Sequence, residues 1–119
     1  MKEMALFLAT LLHSGTNTHF MHWATKSYAQ HKTLGKFYEN IIELVDELAE
    51  AYFGWYEQIT EFPDVYHLPK GSPLAYLESL QTFVKDARND LPKESQIVQL
   101  IDNIAQEIDT TIYLLKFKG

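Results

Sequence analysis

Apolar residues recur at steps of three and four along almost the whole chain, and the one dense cluster of helix breakers falls between Phe62 and Pro73. That period gathers side chains on one face of an α-helix, whereas a half-buried strand alternates at every second residue. Met4, Leu8, Leu12, Gly15, His19, His22 and Lys26 form a first stripe, from about Lys2 to Lys26. Gly15 within it costs roughly 1 kcal/mol relative to alanine, so it is expected to admit a neighbouring backbone or to bend the helix. Leu34, Tyr38, Ile42, Val45, Ala49, Tyr52, Phe53 and Tyr56 form a second stripe, from about Ala29 to Thr60. Gly54 is a weak point in this longest helix, and Pro63 is a stop beyond it.

Pro63, Pro69, Gly71 and Pro73 make Phe62 to Pro73 a long loop. Ser72 as N-cap and Pro73 at the first helical position then open a third, short helix through Leu77, Leu80, Val84, Ala87 and as far as Leu91. Pro92 forces a restart. Ile97, Ile101, Ile104, Ile108 and Leu115 carry a fourth helix that ends in Lys116 and Lys118, where cations suit the helix dipole. No strand-like alternation, internal repeat or low-complexity tract competes with this pattern. The predicted fold is an all-α four-helix bundle, one domain over residues 1–119, with a long loop between helices two and three.

Composition narrows the function. Hydrophobic residues make up 46 % of the chain, enough to bury a core and to exclude a disordered chain. A net charge of −6 with no clustered Lys/Arg tract disfavours nucleic acid as a partner, because affinity for phosphate backbones comes largely from counterion release. There are no cysteines, which excludes disulfides, Fe–S clusters and thiolate zinc sites and fits a reducing compartment. Met1 to Leu12 reads as mature protein and not as a signal peptide, since His13 and Ser14 interrupt its short apolar run. No stretch approaches the roughly 20 apolar residues needed to cross a bilayer, so a soluble, cytoplasmic protein is expected.

Two groups exceed what folding alone demands. His19 and His22 lie one helical turn apart, and His31 opens the second segment. Neutral imidazole is the commonest metal ligand, although a histidine on an inward stripe is more often a hydrogen-bonded core residue. Glu39, Glu43, Asp46 and Glu50 follow at steps of four, three and four, lining one flank of the second helix. Like charges at that spacing repel by a few tenths of a kcal/mol per pair, so the ridge calls for water or cations, and a solvated helix face is the ordinary explanation. Together the groups offer mixed nitrogen and oxygen ligands suited to iron, zinc or manganese.

The run His22-Trp23, then His31, then the phrase ELVDELAEA from Glu43 to Ala51, resembles the hallmark of the Dps-type miniferritins. In that family a His-Trp pair ends the first helix, a second histidine opens the next, and an Asp-x-x-x-Glu follows, here Asp46 and Glu50. The C-terminal IDTTIYLLKF, Ile108 to Phe117, is similar to the family's last helix. The resemblance implies a ferritin-like fold, a hollow cage built from dimers and usually of twelve subunits, and ferrous oxidation by peroxide or dioxygen with storage of ferric mineral. His22 and His31 would come from one subunit and Asp46 and Glu50 from its mate, with Glu39 and His19 as additional candidates. Trp23 would lie beside the site, and as a residue it equally suits a core position.

The chain departs from the family pattern in several places. Gly35 stands where the family usually has an aspartate, and Glu39 is its candidate substitute. The connection between the two histidines is three residues shorter than usual. The basic terminus that many relatives use to bind DNA is missing, so DNA protection is not expected. The alternative expectation is a ferritin-like structural or partner-binding module with a degenerate metal site, and Gly35 is its best support.

Overall fold

A computed structural model describes residues 1–64, 66 and 68–117. Among the described residues there are four α-helices, α1 Lys2–Ala24, α2 Tyr28–Trp55, α3 Pro73–Ala87 and α4 Ser95–Leu115, with a 3-10 turn at Arg88–Asp90. There is no strand among the described residues. The helix starts are chemically explicit. Ser27 Oγ accepts from the Gln30 N–H at 3.2 Å, and Ser72 Oγ accepts from the Ala75 N–H at 3.1 Å with Pro73 beside it. Gly71, at φ 101°, supplies the left-handed turn that aims the chain into α3. Glu94 precedes α4 without capping it, and its carboxylate accepts instead from the Tyr56 hydroxyl.

Side-chain pairings fix the direction of every helix. Gly15 lies against Ile42 and His22 against His31, so α1 and α2 are antiparallel. Phe7 stacks on Phe83 and Asn17 donates to the Tyr76 hydroxyl, so α1 and α3 are antiparallel too. Asn40 with Glu107 sets α2 against α4, and Gln81 with Asp109 and Arg88 with Asp102 set α3 against α4. It follows that α2 and α3 run the same way, and residues 56–72 must travel the length of the molecule between them. Phe62 and Pro63 border Leu8 and Leu12, and Tyr66 donates to Asn17 Oδ1 at 2.7 Å, so this crossover runs along α1.

The helices enclose one core, in which Phe7, Phe37, Leu11, Leu48, Ile101 and Ile104 are fully buried. The α1 stripe is rotated from its predicted position. Leu12 is half exposed, while Phe7, Leu11, Ser14 and Thr18 are buried, because α1 is covered from two sides, by α2 and α3. Ser14 and Thr18 tolerate this by donating to the Leu11 and Ser14 carbonyls within their own helix, at 2.6 and 2.7 Å. The second helix stops at Trp55, one residue after Gly54, not at Thr60. Leu91 is buried, but beyond α3 and its 3-10 turn. Lys118 lies outside the described residues. No helix among the described residues is long and apolar enough to cross a membrane.

Phe37→Ala is expected to cost about 3–5 kcal/mol, read from chemical denaturation. A second outcome concerns alkali. Burial raises the Tyr76 phenol above its usual 10.0, opposed by the Asn17 hydrogen bond, and burial followed by the Glu57, Glu3 and Glu94 carboxylates raises that of Tyr52. The folded chain therefore holds these protons more tightly than the unfolded one. The contribution of these two groups to stability is fully present well below the ordinary phenol range and is lost as pH rises through the folded-state values. The fall is expected to be shallower in Tyr76→Phe, measured as the denaturation midpoint against pH.

Candidate metal site

Only Thr25, Lys26 and Ser27 connect α1 to α2. Thr25 Oγ1 accepts from the Ser27 N–H at 3.1 Å and donates to Gln30 Oε1 at 2.7 Å, so the turn is held by its own side chains. A hairpin this tight brings the last turn of α1 against the first turns of α2. His22 lies four residues before Lys26 at its centre and His31 five after it, and the two face each other.

Their rings stack with centroids 3.7 Å apart and planes 16° apart. His22 Nδ1 lies 2.6 Å from the His31 carbonyl oxygen, and His31 Nδ1 lies 2.9 Å from the His22 carbonyl oxygen. A carbonyl only accepts, so both Nδ1 atoms must carry the proton and donate. In the neutral rings that leaves the lone pair on Nε2 of each. The arrangement is the usual outer support of a metal-binding histidine, whose other ring nitrogen donates to a carbonyl and fixes the tautomer. It also serves the fold, because the His22 carbonyl belongs to the last turn of α1 and lacks a helical partner.

Gly35 explains how the ring fits. A Cβ there would meet His22 Cε1 at 3.0 Å and Nδ1 at 3.1 Å. His22, His31, Lys32, Lys36, Glu39 and Leu114 border a groove of about 530 Å³. His19 lies one turn back and stacks on Tyr38 at 4.0 Å, with the tilted Trp23 ring 4.5 Å away. Trp23 is 64 % exposed, so it is not a core aromatic.

The carboxylates do not join this group within one chain. Glu43, Asp46 and Glu50 are exposed, and at 1.5 Å per residue Asp46 and Glu50 lie about 22 and 28 Å along α2 from His31. Glu39 alone of the acidic flank borders the histidine groove. Asp46 edges an apolar groove between α1 and α2, with Leu8, Leu12, Val45 and Ala49. Among the described residues no three His, Asp or Glu side chains of a single chain gather closely enough to hold a metal ion. The reciprocal carbonyl bonds and the need for Gly35 were not read from the sequence. The signal was present, since a three-residue turn with one histidine four residues before its centre and another five after it brings the turns that carry them together.

A family model covers residues 22–115, from the first of these histidines to the end of α4, and its description is a family of unknown function (DUF5856). The chain belongs to that family. No curated protein and no solved structure matches it. For this DUF5856 member, then, chemistry has to be argued from its own side chains. His31→Ala removes the donor to the His22 carbonyl and half of the stack. It is expected to cost about 1–2 kcal/mol, against within about 0.5 kcal/mol for the exposed Glu43→Gln, both from urea denaturation midpoints.

Proposed function

We propose that the protein is a miniferritin similar to the Dps family, oxidising ferrous iron at sites shared between two copies and storing the ferric product in an oligomeric cage. The observation that carries this reading is the order of charges on α2. Lys32 and Lys36 lie beside the histidines at its start, Glu39 follows one turn on, and Glu43, Asp46, Glu47 and Glu50 occupy its second half. This order gains nothing from the helix dipole, which favours acids at the N-terminus and bases at the C-terminus. It is self-complementary for two α2 helices laid antiparallel.

The midpoint between His31 and the Asp46/Glu50 pair falls at Glu39 and Asn40. A two-fold axis there brings the imidazoles of each copy to the carboxylates of the other, forming two equivalent sites. Each would offer Nε2 atoms and carboxylate oxygens, a set suited to iron, with zinc and manganese as competitors. Two ferrous ions give one electron each to a peroxide. Its O–O bond breaks, and two protons complete two waters. Carboxylates stabilise the ferric product, and the histidines fix the geometry.

The helix directions support a ferritin-like class, in which one long crossover joins parallel second and third helices. A chain with a decayed site would not need Gly35, whereas the placement of the His22 ring does.

Light scattering on the eluting protein, together with absorbance growth after ferrous iron and peroxide are added, tests the reading. A self-associated species that weakens with salt is expected, with oxidation lost in His31→Ala/Asp46→Ala. A stable monomer, or a double variant as fast as the parent, sinks it.

A further inference from the structure

The seat of the His22 ring carries more than a packing role. The ring is held from three directions: its face lies on His31, its Nδ1 is tied to the His31 carbonyl at 2.6 Å, and its Cε1 edge lies over Gly35. A β-carbon at residue 35 would stand 3.0 Å from that edge, closer than carbon atoms normally approach. An end of a flexible side chain would yield. This ring cannot move away without lengthening the Nδ1 bond or sliding off the His31 stack.

From this geometry we infer that Gly35 is a positioning residue that admits the His22 ring and so fixes its Nε2 as the atom offered, beside that of His31, to a divalent cation. The inference rests on the cation-binding part of the proposed function, not on iron oxidation. It gives the departure at residue 35 a physical meaning. An aspartate, as in the resembling family, brings a β-carbon to the space the imidazole uses, so in this chain the ring and a side chain at 35 exclude one another. Gly54, also helical, is the natural comparison, since nothing lies within 4 Å of where its β-carbon would stand.

Long-range proton–nitrogen NMR of the imidazoles and cobalt(II) titration of the full chain, in parent, Gly35→Ala and Gly54→Ala, test this. In the parent and in Gly54→Ala both histidines should show protonated Nδ1 and equal cobalt affinity. Gly35→Ala should lose the Nδ1 proton signature at His22 and bind cobalt ~10–100-fold more weakly, the loss typical when the outer support of a ligand is removed. Should Gly35→Ala fail to fold, His22→Ala/Gly35→Ala decides. Restored folding is expected, and continued unfolding overturns the inference. Retention by Gly35→Ala of either the tautomer or the affinity also overturns it, as does a parent that binds no cobalt at these rings. A parent that binds cobalt but leaves ferrous iron unoxidised removes the ferroxidase reading and upholds the role of Gly35.

Discussion

The contact between α1 and α2 is the constraint from which the other features follow. Two glycines let these helices lie close, Gly15 against Ile42 and Gly35 against the His22 ring. A three-residue turn leaves them no choice but to run antiparallel. At the turn end of this hairpin, the two imidazoles donate to two main-chain carbonyls, of which that of His22 lies in the last turn of α1 and lacks a helical partner. The same bonds that close the hairpin dictate which ring nitrogens stay free. Structure and candidate chemistry are therefore set by one group of atoms.

Charge then determines what the hairpin can meet. The outer flank of α2 runs from basic to acidic along its length, and its carboxylates Glu43, Asp46, Glu47 and Glu50 are exposed. Such a ridge is a modest cost to an isolated helix. It becomes an attraction when a reversed copy supplies lysines and imidazoles to it. Nothing in the core depends on this ridge, since Leu34, Phe37, Ile41, Val45 and Leu48 occupy the opposite side of α2.

The helices were legible in the sequence because three- and four-residue steps carry both their existence and their buried faces. Ile97, Ile101, Ile104 and Ile108 are all buried as that period requires. Residues packed from two sides were harder. On α1, period alone favoured Leu12 over Leu11, and only the presence of α3 selects the latter. A proline stop at residue 63 marks only the latest possible end of α2, whereas the helix ends at Trp55, one residue after Gly54. The histidines were visible as candidates, but their mutual bonds depend on a turn geometry that composition does not encode. Gly35 looked like the loss of a ligand, whereas its missing side chain is what the imidazole occupies.

The crossover has a consequence for the order in which the molecule assembles. The α1/α2 hairpin is closed by neighbours in sequence, and its loop is short, so little chain entropy opposes it. Asn17, 4 % exposed, joins Tyr66 and Tyr76, residues 49 and 59 positions away. Those bonds form only after the connecting segment has been drawn back along α1, a non-local closure that slows folding. Asn17 is thus the point at which the crossover and α3 are registered on α1.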